Sequence, residues 1–161
     1  MKESYLNMIA QIERLHRQFL ELVRTELDSL GIQDINNVQA LILFNIGPVE
    51  LTVGELTLRG CYLGSNVSYN VKKMVENGYL VQERSAHDRR SIRVRLSAKG
   101  LDLCAKLDAM HDRHVNSLGA TQVDMQALTD SSVTLRRLDR FWTQIVDRGV
   151  RILPRMTNSA A

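Results

Sequence analysis

Apolar residues in the first thirty positions recur at steps of three and four: Tyr5, Met8, Ile9, Ile12, Leu15, Phe19, Leu22, Val23, Leu27 and Leu30. That period predicts one long amphipathic helix, with Gly31 as its left-handed stop. A shorter stripe, Val38, Leu41, Ile42 and Ile46, predicts a second helix from about Asn36 to Ile46, closed by Gly47-Pro48. Thr52-Val53-Gly54-Glu55 has the spacing of a capping box, in which the Thr hydroxyl accepts an orphan amide and the Glu reaches back. A third helix is expected from there to about Arg59, followed by a glycine-bounded turn, Gly60 to Gly64. Ser65 is the expected N-cap of a fourth helix, with Val67, Val71, Met74 and Val75 as its apolar stripe and Gly78 as its left-handed end.

The period then falls to two. Tyr79 to Arg84 and Ser91 to Leu96 read as strands, the second with Ile92, Val94 and Leu96 on one face and Arg93 and Arg95 on the other. Ser85 to Arg90 is a polar, charged loop between them. Ser97 is the expected cap of a helix running to about Leu118 through Leu101, Cys104, Leu107, Met110 and Val115. Gly119 breaks that pattern, and Thr121 to Asp124 offers another cap. In the last helix Leu128, Leu135 and Trp142 recur at sevens, with Leu138 and Ile145 on a neighbouring track, a seam made for another helix. A short polar tail, Thr157 to Ala161, is expected to fray.

Composition narrows the class. A chain of 161 residues makes one domain, or one domain with an extension used for assembly. With 44% hydrophobic and 24% charged residues, a disordered or collagen-like chain is not expected. No apolar run approaches the roughly 18 residues of a membrane span, and the N-terminus lacks a signal-peptide core. Cys61 and Cys104 have neither metal nor disulfide spacing, so a reducing cytoplasm is the expected location, with no membrane partner.

The net charge of +3 is unevenly spread. Residues 65–100 hold eight Lys/Arg (Lys72, Lys73, Arg84, Arg89, Arg90, Arg93, Arg95, Lys99) against Glu76, Glu83 and Asp88, a net +5. The remaining 13 bases and 15 acids leave the rest of the chain at −2. Such a segment either attracts phosphate backbones or is an ordinary solvated face. The order helix, helix, short helix, turn, helix, ribbon is that of a helix-turn-helix followed by a wing. Turning the fourth helix by about 100° per residue puts Ser65, Asn66, Tyr69, Lys72, Lys73 and Glu76 opposite its apolar stripe, with Ser68 flanking. Asn pairs with adenine edges, Ser with several bases, and Lys with guanine or phosphate. A positively charged loop suits the narrow minor groove, where Arg finds the enhanced negative potential of A·T tracts. Asp88, two residues from Arg90, can hold that guanidinium in a fixed pose.

The run from Val67 to Gly100, above all Asp88-x-Arg90, then Ile92, Val94, Leu96, Ser97 and Gly100, resembles the recognition helix and wing of the MarR family. Tyr69 stands where many members carry Arg, and Asn70 where many carry an apolar residue. The resemblance implies a mainly α fold with a small two- or three-stranded β-wing: a winged helix-turn-helix with N- and C-terminal dimerisation helices. It implies a division into 1–34 with 119–156 (dimerisation), 35–100 (DNA-binding) and 101–118 (linking helix). The implied function is that of a ligand-responsive repressor acting as a homodimer on a pseudo-palindromic operator in double-stranded DNA. Recognition-helix contacts would come from Ser65, Asn66, Ser68, Tyr69, Lys72 and Lys73. Wing contacts would come from Arg84, His87, Asp88, Arg89, Arg90 and Arg93. The dimer interface would use Leu128, Leu135, Leu138, Trp142 and Ile145. A small-molecule effector would sit between the dimer helices and the reading head, near Phe19, Phe44 and Met110.

Other chemistry is weaker. Some members of the resembled family sense zinc through His and acidic ligands. Here His111 and His114, with Asp108, Asp112 and His16, are the candidates, but surface histidines are the simpler reading. Thiol sensors of the family usually carry a reactive Cys in the first helix, which has none. Cys104 reads as core, and Cys61 as a secondary redox site at most. No nucleophile elbow, phosphate loop or paired-carboxylate motif is present, so neither an enzyme nor a cofactor is expected. The alternatives are a winged-helix module that binds an acidic protein partner, or a zinc- or redox-sensing regulator.

Overall fold

The computed structural model describes residues 1–60, 64–84, 92–121 and 123–152, without the side chains of 59–60, 64–65 and 149–152. The first helix, α1 (Lys2–Ser29), ends as expected: Gly31 has φ 67°, its N–H donates to Asp28 O, and the Ile32 N–H donates to Leu27 O. That pair of bonds satisfies two of the last orphan carbonyls of the helix. Helix α2 (Asn37–Ile46) is capped by Asn36, whose side chain accepts from the Gln39 N–H while the Gln39 side chain accepts from the Asn36 N–H. Strand β1 (Leu51–Thr52) leads into α3 (Val53–Gly60), and Thr52 and Glu55 close the expected capping box. Helix α4 (Gly64–Glu76) ends at Gly78, φ 76°. Strands β2 (Leu80–Arg84) and β3 (Ile92–Leu96) follow, then α5 (Ala98–Leu118) and α6 (Met125–Ile152).

Several local expectations need correction. Helix α4 begins at Gly64, so Ser65 lies inside its first turn rather than at the cap. The cap of α6 is Asp124, whose carboxylate accepts from the Ala127 N–H; Thr121 instead accepts from the Val123 N–H. Helix α5 buries Gly100, Leu103, Leu107 and Met110, while Leu101 and Val115 face outward. Ile92 is exposed although Val94 and Leu96 are buried, because it pairs with the exposed Arg84 at the end of the two strands away from Leu80 and Leu96.

The sheet is antiparallel in the order β1-β3-β2. Leu51 pairs with Val94, and Leu80 with Leu96, so three strands carry the ribbon. Beneath it lies one core: Val23 and Leu27 from α1, Ile42, Leu43 and Ile46 from α2, Leu56 from α3, Val67 and Met74 from α4, and Leu103, Leu107 and Met110 from α5. Val38, expected in the stripe of α2, is outside it, and Ala40 and Leu43 are inside.

A polar knot fastens the base of the ribbon. The buried Tyr79 hydroxyl donates to Asp34 Oδ1 at 2.6 Å, and Lys99 Nζ binds the other Asp34 oxygen while lying 4.1 Å above the Tyr79 ring. The Ser97 N–H donates to Tyr79 O and its hydroxyl donates to Gly78 O. Burial, then the bond to Asp34, holds the Tyr79 phenol above its ordinary range; the Lys99 and Tyr79 hydrogen bonds hold the Asp34 carboxyl below its own. A raised phenol favours the fold below its unfolded value of about 10, and that stability is lost as pH rises further. A lowered carboxyl favours the fold above about 4, and that stability is lost as pH falls. Urea midpoints are therefore expected to drop above pH 10, and Tyr79→Phe to flatten that limb. An unchanged alkaline drop in Tyr79→Phe would exclude Tyr79 as its source.

Gly100 sits against the same knot. A Cβ there would lie 2.3 Å from Tyr79 O and 3.3 Å from its carbonyl carbon. Alanine gains about 0.5–1 kcal/mol in a helix over glycine, but this backbone oxygen cannot withdraw without disturbing the bond from Ser97. Overpacking, at about 1–3 kcal/mol, outweighs the propensity gain. Gly100→Ala is expected to melt several degrees lower than wild type, and a Tm equal to or above wild type would contradict the clash.

The chain forms two compact units, Met1–Arg113 and His114–Ala161. In the second, α6 leaves Met125, Leu128, Leu135, Phe141, Ile145 and Val146 exposed, while Leu138 and Trp142 are half-buried. Among the described residues no helix is long and apolar enough to cross a membrane.

Candidate nucleic-acid interface

Helix α4 is seated by Val67, Val71 and Met74, all buried, against α2 and α3. The seat turns Asn66, Ser68, Tyr69 and Lys72 outward. Tyr69 is 62% exposed, a large ring held in solvent on the face expected to read bases. Lys73 Nζ lies 2.8 Å from Glu76 Oε2, and Lys72 Nζ 3.9 Å from Oε1. The hydrogen bond raises the Lys73 ammonium and lowers the Glu76 carboxyl from their usual ranges. Lys72 is thus the freer cation of the pair. The side chain of Ser65 lies outside the described residues.

Asn70, on the flank of α4, does not face outward with its neighbours. Its Oδ1 accepts from Gln39 Nε2 at 3.1 Å and its Nδ2 donates to Asn66 O at 2.8 Å. Gln39 is 6% exposed. The spacing Asn36-x-x-Gln39 is a readable capping box, but nothing local to it points to a partner 31 residues away.

On the ribbon, Glu83 stands opposite Arg93 and accepts from Arg95 at 3.1 Å, while Arg93 reaches Glu50 at 3.4 Å. These are exposed pairs of small net energy, which a phosphate can replace as partner. Arg84 is exposed at the end of β2. His87, Asp88, Arg89 and Arg90, the remaining wing candidates, lie outside the described residues.

Phe19 and Phe44 meet at one histidine, and Met110, next to it in the sequence of α5, is buried. Phe19 stacks on His111 with ring centroids 6.0 Å apart, Phe44 meets the same imidazole edge-on at 5.0 Å, and Met110 is core. Phe44 does line an apolar groove of about 300 Å³ with Gly47, Pro48, Leu101, Cys104 and Asp108. Burial pushes the half-buried Cys104 thiol up, opposite to what a reactive thiolate requires. Cys61 lies outside the described residues. Among the described residues no group of three or more His, Cys, Asp or Glu is placed to hold a metal ion.

Comparison with known proteins follows the same line. A model of the MarR family matches residues 33–91. Over 147 residues the chain is 39% identical to the exopolysaccharide II synthesis transcriptional activator ExpG of Rhizobium meliloti (strain 1021), covering 91% of this chain and 76% of that protein. Its fold is similar to that of Streptococcus pneumoniae FabT, solved in complex with DNA: TM-score 0.70, 17% identity, 88% of this chain and 99% of the other. It is also similar to Staphylococcus aureus MarR, solved in complex with salicylate and kanamycin: TM-score 0.69, 20% identity, 89% and 93%.

Proposed function

Since the chain belongs to the MarR family of winged helix-turn-helix, DNA-binding transcriptional regulators, and is no enzyme, we propose that it acts in the cytoplasm as a homodimer on a pseudo-palindromic operator. Each protomer lays α4 in the major groove and its wing in the adjoining minor groove. The observation that carries this is the outer face of α4: Asn66, Ser68, Tyr69 and Lys72 stand in solvent on a helix whose other side is fully seated. A two-fold dimer presents two such helices, so half-sites about 10 bp apart, centre to centre, are expected. Selection of bound sites from a random duplex pool, followed by gel shifts in rising salt, tests this. A two-fold consensus and a linear fall of log affinity with log salt are the expected results. Binding of one protomer to a lone asymmetric half-site would contradict it.

The sign of control has two readings. The family resemblance implies a ligand-responsive repressor, whereas the relative from Rhizobium meliloti is named an activator. A winged dimer is a device for occupying DNA, and its effect on transcription follows from where the site lies relative to the promoter. A reporter carrying the selected site upstream of, or overlapping, the promoter separates the two.

A small apolar or aromatic effector is the proposed switch, seated in the groove beside Phe44, Cys104 and Asp108. The support is threefold: the groove's apolar lining, the salicylate bound by the Staphylococcus aureus protein, and α5, which both walls the groove and starts at the ribbon's base. A differential affinity of a few kcal/mol for the two states is enough for a useful switch. If salicylate and related phenols leave both the melting temperature and operator affinity unchanged, this part of the proposal fails.

A further inference from the structure

Among the described residues, Gln39 is the buried polar side chain of the core, on the wall of an open polar cleft that Asn36, Tyr69 and Lys73 also line. Both ends of its amide are used. Oε1 accepts from the Asn36 N–H at 3.1 Å, and Nε2 donates to Asn70 Oδ1 at 3.1 Å. Asn70 passes the connection on, its Nδ2 donating to Asn66 O in the first part of α4. The first turn of α2 is itself tied to α1, since Asn37 Nδ2 donates to Leu20 O at 2.9 Å. A line of directional bonds therefore runs from α1, through the capped start of α2, to the helix that carries Asn66, Ser68, Tyr69 and Lys72.

We propose that Gln39 and Asn70 are positioning residues for sequence recognition, fixing the roll of α4 on α2. This rests on the DNA-binding reading above. The rest of the seat is made by Val67, Val71 and Met74. Apolar contact is non-directional, so those side chains hold α4 down without fixing its rotation closely. An amide–amide bond needs about 2.7–3.2 Å and good alignment. With side-chain ends about 5–6 Å from a helix axis, a roll of about 20° moves them by roughly 2 Å, enough to break a base-edge hydrogen bond. Contacts to phosphates by long, mobile lysines and arginines tolerate the same displacement.

The two kinds of contact therefore separate in the test. Gln39→Met, Asn70→Leu and the double variant are purified, and their affinities for the site selected by wild type and for a scrambled duplex are measured alongside Tm. Each single variant leaves one part-buried amide without its partner and is expected to melt lower than wild type. The double removes both partners and is expected to recover much of that loss. Discrimination between the two duplexes is expected to fall at least tenfold in all three, while affinity for the scrambled duplex stays within about twofold of wild type. A double variant that regains both Tm and full discrimination shows a merely structural pair and overturns the inference. A wild type that selects no consensus overturns the DNA-reading premise, and the inference with it. Should the single variants fail to fold, the double variant alone decides.

Discussion

Arg90→Ala is expected to lower operator affinity by about two orders of magnitude. In the sequence Arg90 follows Arg84, the last residue of β2, and precedes Ile92, the first of β3, and those two residues pair with each other. We propose that Arg90 enters the minor groove beside each half-site, that Asp88 fixes its side chain, and that Arg89 meets phosphate. Loss of one such contact costs about 1–3 kcal/mol per head. Two heads lose it together, and every 1.4 kcal/mol is tenfold. Asp88→Ala supplies the sharper test because two physical effects oppose each other. Removing a negative charge from a DNA-facing loop strengthens binding by simple electrostatics. Removing the carboxylate that orients Arg90 weakens it, because the guanidinium then loses more conformational freedom on entering the groove. Weaker binding by a variant with wild-type circular dichroism is the expected result. Tighter binding by the same folded variant would reduce the wing to a positive tip.

The other large effect concerns assembly. Helix α6 spans 28 residues with Leu128, Leu135 and Ile145 exposed and Leu138 half-buried within its own unit. Isolated amphipathic helices of this kind gain most of their stability from packing of the apolar face, so the proposed dimer buries that stripe against the partner copy. Leu138→Arg would put an unpaired charge into the seam, at about 3–5 kcal/mol. Symmetry introduces it twice, so the dimerisation constant is expected to weaken by at least two orders of magnitude. Sedimentation across a concentration series reads this directly. A wild type that stays monomeric at micromolar concentration would remove the dimer, and the paired half-sites would go with it.

Much of the fold was legible in the chain because its signals act over three or four residues. Gly31 and Gly78 adopt the left-handed turn where the helical stripes stop. Thr52 and Glu55 close their box, Ser97 accepts from the Gly100 N–H at the start of α5, and the switch from a period of four to a period of two falls at Tyr79. The motif around Leu96, Ser97 and Gly100 also has a visible cause, since only glycine fits beside Tyr79 O. The face of α4 that meets solvent followed from its own stripe.

What the chain did not show depends on neighbours far along it. Strand β1, two residues long, exists because Leu51 finds Val94, and no propensity in two residues predicts that. Leu101 and Leu103 are equally apolar, and only tertiary packing decides that Leu103 joins the core while Leu101 stays exposed. The strand period puts Arg93 and Arg95 on one face, but only the paired structure sets Glu50 and Glu83 beside them. Asn70 stands where the resembled family often carries an apolar residue, and its amide partner, Gln39, lies on another helix, out of reach of any local pattern. Periodicity and caps are properties of a segment and its own backbone, so sequence determines them. Burial, ion pairing and the satisfaction of a buried amide are properties of two segments at once, and only their packing decides them.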